Sequence, residues 1–443
     1  MNAASAIEAN GDARVIEDAI CLACGCICDD IAVEVVSGQI IGAGHACQIG
    51  KSWFSSHSER DREPCLIEGV PASVEDGIDR AAGILTSAAY PIVHGLSETT
   101  TEAQRLAVAI ADWVGGCVDT TTGADGAASI LAFQEVGQST CTLGEIKSRA
   151  DLIIVWRANP TESHPRHFER YSLFSAGEFL PNGRGDRFCV VVDDHDTATA
   201  SDADLLIQIK AGADFEALWV LRALAKGVDL EPSEVEDQTG VSLADWQSLM
   251  DRMKRAKYGA ILSGKPQAAL ARITYQALLS LVRDMNAFAR FVSIPLGSAG
   301  NRAGAENVLA WRTGYPCAVN LARGYPRYGP GEFTAEEILG SGEADAALII
   351  GDDLAASSGP RVRERLRSIP AIVLAPNDTL LTEAATVVFH VAVSGIHSGG
   401  TVYRVDGVAI RLRPALESRL PSVEEILTRI ERAVRRLSSA GCS

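Results

Sequence analysis

Five cysteines, Cys21, Cys24, Cys26, Cys28 and Cys47, fall within the stretch 21–47, while the other six are scattered singly. Cys21-x2-Cys24-x3-Cys28 sets three thiolates on one tight loop, and Cys47 follows at the distance of a returning hairpin. In a reducing compartment such a cluster points to metal or iron–sulfur chemistry, because thiolates persist there and structural disulfides do not. Four-iron clusters need this kind of geometry. Zinc is an alternative, with Cys26 and His45 as spare ligands, although the x3 gap departs from the usual paired CxxC pattern. A set of reduced, buried thiols with no metal is the other.

A second group of polar residues follows the apolar run Leu152–Trp156: Asn159-Pro160-Thr161-Glu162-Ser163-His164-Pro165-Arg166-His167. Asn159 or Ser163 could cap a helix opening there, whose free N–H groups would accept an anion. The plainer expectation is a capped helix with solvated His and Arg. His164 and His167 stand at i, i+3, but no third ligand lies nearby to complete a zinc site. No G-x-S-x-G run follows a strand, and Lys265 lacks the P-loop spacing, so neither nucleophilic hydrolysis nor nucleotide cradling has a motif.

These groups must be carried by a large scaffold. The chain has 443 residues, enough for about three domains. Short apolar runs at 152–156, 188–192, 205–209, 259–262, 346–350 and 371–375 alternate with amphipathic stretches at 73–87, 100–115, 213–226, 242–256, 267–285 and 421–438. That rhythm predicts parallel sheets covered on both faces, and the number of strands implies at least two doubly wound sheets. Several strands end in polar or glycine-rich turns, among them Asp193-Asp194 and Gly351-Asp352-Asp353, where ligands of open α/β sheets sit. Alternation around Ser37-Gly38 and Asp406-Gly407 predicts two hairpins.

Composition narrows the partners. Forty Lys and Arg against fifty-seven Asp and Glu leave a formal charge of −17, which repels nucleic acid and anionic lipid. No apolar run approaches a membrane span and the start lacks an export signal, so the expectation is a cytoplasmic protein with neither nucleic-acid nor membrane partners.

The blocks CLACGCICDD (21–30), HACQIG (45–50), GGCVDTTTGADGAAS (115–129), ADLIIVWRANPTESHPRH (150–167) and GTVYRVDGVAIR (400–411) together resemble the B subunit of formylmethanofuran dehydrogenase, in order and over nearly the whole chain. The resemblance implies a molybdopterin-oxidoreductase-like core. It would comprise an iron–sulfur-type lobe from 1–65 with 386–415, a first α/β domain from 66–124 with 257–385, a second from 125–256, and a C-terminal helix at 416–443. It assigns Cys21, Cys24, Cys28 and Cys47 to a 4Fe-4S cluster, leaves Cys26 as a packed thiol, and places Asn159 and His164 in a vestigial pterin-dinucleotide pocket.

The departures are as informative. Where the family carries a metal-binding Cys or selenocysteine followed by His-Gly-Pro-Ser, this chain reads Asp125-Gly126-Ala127-Ala128-Ser129. A hard oxygen is a poor replacement for sulfur on molybdenum or tungsten. An Asp-Pro-Arg turn reads Asp193-Asp194-His195, setting negative charge where a dinucleotide phosphate would lie. A Mo or W bis-pterin dinucleotide is therefore not expected. The combination is most similar to the B subunit of the formyltransferase/hydrolase complex, which implies a non-redox structural role with no complete active site of its own. Its partners would be the amidohydrolase-like A subunit, the C subunit and the formyltransferase D subunit of that complex, acting on formyl-tetrahydromethanopterin and a formyl-methanofuran-type carrier to release formate. The alternatives are a redox-active dehydrogenase subunit with Mo or W pterin, and a stand-alone iron–sulfur or zinc protein.

Overall fold

The computed structural model describes residues 13–56, 62–297, 300–351, 354 and 358–440, the side chains at 124–126, 268 and 440 excepted. The strands, in chain order, are β1 (Arg14–Ala19), β2 (Ile31–Val36), β3 (Gln39–Gly44), β4 (Cys65–Ile67), β5 (Val70–Pro71), β6 (Pro91–Gly95), β7 (Cys117–Thr120), β8 (Leu152–Trp156), β9 (Phe188–Asp193) and β10 (Leu205–Gln208). They continue with β11 (Tyr258–Ser263), β12 (Arg290–Pro295), β13 (Val319–Asn320), β14 (Arg327–Tyr328), β15 (Ala346–Ile350), β16 (Ala371–Ala375), β17 (Val387–His390), β18 (Gly400–Tyr403) and β19 (Ala409–Leu412). The chain divides into two compact units: Met1–Ala124 with Ala299–Arg404 and Ala409–Ser443, and Asp125–Ser298 with Val405–Val408.

Unit 1 holds a nine-stranded sheet in the order β14-β13-β7-β6-β15-β16-β17-β4-β5. Its centre, β7 to β17, is parallel, and antiparallel strands of two or three residues finish each edge. The central strands are buried at every position, as near-continuous apolar runs covered on both faces must be. The C-terminal helix Val423–Ala440 buries Ile426, Leu427, Ile430 and Val434 in the core that this sheet shares with helices Val74–Ser87 and Thr101–Val114. Unit 2 holds five parallel strands in the order β10-β9-β8-β11-β12. Its core is centred on Trp156, Trp246 and Phe291.

One sequence device aligns both sheets. An Ala-Asp pair precedes β8, β10 and β15, and each aspartate accepts backbone N–H bonds from the start of a neighbouring strand. Asp151 takes Lys257 and Tyr258 at 3.0 and 2.8 Å, Asp204 takes Cys189 at 2.7 Å, and Asp345 takes Ala89 and Tyr90 at 2.7 and 2.8 Å. Donors that would be orphaned at a strand's beginning are thereby satisfied. At one of those ends Gly95 has φ 105°, and a Cβ there would lie 2.1 Å from the Ile350 carbonyl oxygen, so no other residue fits.

A three-stranded sheet, β1-β2-β3, carries the cysteine loop between β1 and β2. Ser37 and Gly38 both take positive φ, 51° and 78°, as a two-residue hairpin turn of type I′ requires. The hairpin β18–β19 contributes Val402 and Leu412 to an apolar cluster with Ile20, Leu22 and Ile27 of the cysteine loop. Glu102 fixes that hairpin by accepting from the Thr401 N–H and hydroxyl, both at 2.9 Å.

One boundary differs from the sequence expectation. The stretch 257–298, assigned to the first α/β domain, supplies β11 and β12 to the sheet of unit 2, where β11 pairs with β8 along Gly259–Ser263. No helix among the described residues is long and apolar enough to cross a membrane.

Candidate functional site

The cysteine loop closes on itself: the Cys21 N–H donates to the Cys28 carbonyl at 2.9 Å, and the Ile27 N–H to that of Cys24 at 3.1 Å. Ile27 takes a positive φ of 38° and turns its side chain into the apolar cluster. Cys47 stands just before the helix Gln48–Ser56, and its sulfur accepts from the Gly50 N–H at 3.5 Å. Gly50 also keeps space open. A Cβ at that position would come 3.1 Å from the Cys21 sulfur and 3.9 Å from that of Cys47.

The ten described cysteines are free thiols. Burial pushes the Cys21 thiol well up, and Cys28, Cys24 and Cys47 push it further, so all four sulfurs share one electrostatic neighbourhood. Hydrogen bonding from the Cys26 thiol holds Cys24 down to about 7. Cys26 is thus a neighbour that favours thiolate at Cys24, a role the spacing did not suggest. A buried thiol beside other thiols, as Cys21 is, needs a nearby cation to ionise. Among the described residues, only Asp193, Asp194 and His195 bring three ligand atoms within 4.8 Å of one another.

At the strand ends of unit 2 the arrangement is the reverse. Arg157 follows β8 with φ 50°, and its guanidinium lies 2.7 Å from Asp193, 2.6 Å from Asp194 and 3.6 Å from Asp214. Arg157 holds Asp194 far below the usual carboxylate range, while burial pushes Asp193 up. His195 Nδ1 sits 2.6 Å from Asp194, and its pKa is raised by that contact. The three close ligand atoms are therefore part of an ion-pair network already holding a guanidinium. The sequence marks Arg157 and Asp193-Asp194 as turns at strand ends, but their pairing and the part of Asp214 were missed. An Arg directly after an apolar strand was the available signal.

Asn159 and His164 are fully engaged. Asn159 begins the short helix Pro160–Ser163 without capping it through its side chain; its Oδ1 accepts from Thr199 Oγ1 at 2.7 Å and from the Thr199 N–H at 3.2 Å. His164 Nε2 donates to the Gly297 carbonyl at 3.1 Å, and Nδ1 lies 2.9 Å from the Ser163 hydroxyl. Burial lowers the His164 pKa to about 4 and that of His167 to about 3. The expectation of solvated His and Arg is corrected: His164, Arg166 and His167 are all buried, and the His167 ring packs edge-on against Phe168 and Tyr171. Asp125 falls in the helix Thr122–Val136, and its side chain lies outside the described residues, as do Asp352 and Asp353. Just before that helix, the buried Asp119 carboxylate accepts N–H bonds from Thr120, Ala318 and Ala335 at 2.9, 3.0 and 2.9 Å, tying the end of β7 to two later segments.

No protein-family model matches the chain. It is 36% identical over 91% of its length to the B subunit of the tungsten-containing formylmethanofuran dehydrogenase 2 of Methanocaldococcus jannaschii, covering 94% of that protein. It is 27% identical over 76% of its length to the B subunit of the formyltransferase/hydrolase complex Fhc of Methylorubrum extorquens, covering 87% of it. Among solved structures, a chain of FhcABCD from M. extorquens, crystallised with methylofuran, superposes with a TM-score of 0.70 at 26% identity, over 86% of this chain and all of that one. Acetylene hydratase from Pelobacter acetylenicus superposes with a TM-score of 0.68 at 9% identity, over 94% of this chain and 69% of that one, a likeness of fold alone. The α/β sheets are those of a molybdopterin-oxidoreductase-like fold, and the chain belongs to the family of formylmethanofuran dehydrogenase B subunits.

Proposed function

We propose that the chain is a non-redox framework subunit of a formyltransferase/hydrolase complex. In this reading formyl passes from formyl-tetrahydromethanopterin to a methanofuran-type carrier and is released as formate on partner subunits, one amidohydrolase-like and one a formyltransferase, with the C subunit completing the assembly. The observation that carries the reading is the closure of Arg157 by Asp193, Asp194 and Asp214. A pterin dinucleotide needs cations or free N–H donors for its pyrophosphate. Here the guanidinium at the strand ends is surrounded by three carboxylates, and the residues do not fit the group. Asp125, in place of a soft ligand, points the same way.

The cysteine loop does fit a cluster. Cys21, Cys24, Cys28 and Cys47 would hold a 4Fe-4S cluster, with Gly50 leaving the space and Ile20, Leu22 and Ile27 excluding water around it. When bound, such a cluster supplies one-electron chemistry and a covalent joint between the loop and the helix Gln48–Ser56. In a non-redox subunit the joint is the part that matters.

The identity to tungsten-containing relatives favours a second reading, a redox-active dehydrogenase subunit with an unusual metal ligand. Metal and pterin analysis of the complex purified from its native host separates the two. Iron without molybdenum, tungsten or pterin supports the framework reading. Stoichiometric tungsten or molybdenum with extractable pterin would overturn it.

A further inference from the structure

We infer that the groove between the helices Val74–Ser87 and Val423–Ala440 of unit 1 docks a carboxylate-rich segment of a partner subunit. The inference goes beyond the framework reading and applies to a redox-active subunit as well, since the relatives are B subunits in either case. The groove encloses about 590 Å³, with Arg429, Arg432, Arg435 and Arg436 on one wall and Glu75 and Asp79 on the other. Arg429, Arg432 and Arg436 stand at i, i+3 and i+7, which makes them one strip along about 10 Å of helix.

In a chain of formal charge −17 this run of cations is an exception. From Arg432 to Ala440 the helix carries three arginines and no acidic residue. The helix dipole does not account for them, because its effect is confined to the last turn, and Arg429 and Arg432 stand two turns or more before the helix ends.

Local carboxylates use only part of the charge. Arg429 pairs with Glu75, and Arg435 with Glu431 at 3.4 Å. Arg432 and Arg436 are exposed and make no ion pair among the described residues, and neither does Asp79 across the groove. Arg435 also lies over the ring of Trp113, 5.0 Å from its centroid, and that tryptophan is 45% exposed. Exposed Trp and Arg side by side are the residue types that anchor protein interfaces.

The chemistry of the occupant follows. All four cations are guanidinium groups, which take carboxylates two N–H bonds at a time. Each is open to water, so a single small anion gains little, whereas several carboxylates on one chain engage the strip together. A nucleic acid would carry its phosphates past the groove over an acidic surface; a short acidic stretch of protein meets the arginines alone. About two helical turns, or about three extended residues, match the length of the strip.

Anisotropy of fluorescein-labelled octaglutamate, titrated with the full chain purified without its partners, tests this. Binding is expected, weakening at least about tenfold as salt rises from about 50 to about 500 mM. Arg432→Glu combined with Arg436→Glu is expected to lose at least about tenfold in affinity. The same double reversal at the exposed Arg361 and Arg367, on the helix Pro360–Ser368, is expected to stay within about twofold. In the co-expressed complex, the groove reversal is expected to cut recovery of partner subunits at least about fivefold, with the circular dichroism of the chain unchanged because both side chains are exposed. Equal losses in the two double variants would assign the effect to overall charge and overturn the proposal. Partner recovery untouched by the groove reversal, or a single-stranded octanucleotide bound as tightly as octaglutamate, would overturn it too. A chain shortened to Ala440 is expected to bind octaglutamate as the full chain does; a tenfold gain on shortening would assign the groove to residues 441–443 instead of a partner.

Discussion

The cysteine loop of unit 1 and the strand ends of unit 2 present opposite solutions to burying reactive polar groups. In the loop, burial and the neighbouring Cys28, Cys24 and Cys47 raise the cost of ionising Cys21, with Gly50 leaving open space beside Cys21 and Cys47. At the strand ends, three carboxylates close around Arg157. A set of like groups is stable in its charged form only when something of opposite sign arrives, whereas a paired set is complete without a ligand. The comparison separates a place built to receive a group from one that has become part of the framework, although both sit where this fold class binds cofactors.

The largest expected effect tests the open side of the comparison. If the loop holds the proposed cluster, replacing Cys24 with Ser removes the thiol that Cys26 holds at about 7, and iron and visible absorption are expected to be lost together. Cys26→Ser is expected to keep both, since that thiol acts on Cys24 rather than on the cluster. Metal analysis and absorption spectra of the two variants read this directly. Iron retained in Cys24→Ser at the unaltered stoichiometry would remove Cys24 from the ligand set.

The paired side breaks through its cation. Arg157→Ala leaves Asp193 and Asp214, 4% and 2% exposed, without the guanidinium, and is expected to destabilise the protein by about 3–5 kcal/mol at neutral pH. Burial already pushes both carboxyl groups above their ordinary range, so the variant is expected to recover part of that loss as the pH is lowered and they protonate. Denaturant melts at pH 7 and pH 5 measure both. An Arg157→Ala protein as stable as the unaltered chain would mean that the network carries no structural weight.

Next in size is a pH dependence from the buried histidines. Folded, His164 and His167 are kept neutral, with pKa lowered to about 4 and about 3, while the unfolded chain takes up protons near the ordinary 6.5. The unfolded state therefore binds more protons below pH 6.5, so the stability is fully present above that value and is lost as the pH falls toward 4. Each histidine is expected to cost about 3 kcal/mol across that window, and His164→Asn should flatten the slope even if it lowers stability overall. A pH-stability profile that is equally steep in the variant would show that His164 is not the group responsible.

How much of this was legible in the sequence depended on how far each residue's partners lie along the chain. Runs such as Leu152–Trp156 and Ala346–Ile350 declare strands because burial on both faces demands local, continuous apolarity. The turn at Ser37-Gly38 and the four clustered cysteines are equally local. β12 was missed because Ser293 interrupts its apolar run and Pro295 ends it; the serine is tolerated there because its hydroxyl accepts from the Gln138 side-chain amide at 3.4 Å, 155 residues earlier. The burial of His164 rests on Gly297, 133 residues on, and the pairing of Arg157 on carboxylates at 193, 194 and 214. The missed domain boundary has the same cause, since β11 joins β8 across a gap of about a hundred residues that no local pattern reveals.

The smallest expected effect concerns Asn159, where a motif suggested a ligand contact and the fold uses a strut. Its Oδ1 takes both the N–H and the hydroxyl of Thr199, tying the turn after β8 to the 3-10 turn Ala198–Asp202 that follows β9. Thr199 is fully buried, so removing the acceptor strands two polar groups, although its hydroxyl also lies 3.0 Å from that of Thr161 and can turn toward it. Asn159→Ala is therefore expected to cost only about 1–2 kcal/mol. Asn159→Asp keeps the acceptor for both Thr199 donors and should cost less. The order of stabilities in these two variants, measured by denaturant melts, checks the strut: an Asn159→Asp protein no more stable than Asn159→Ala would show that the acceptor at residue 159 is not what holds Thr199.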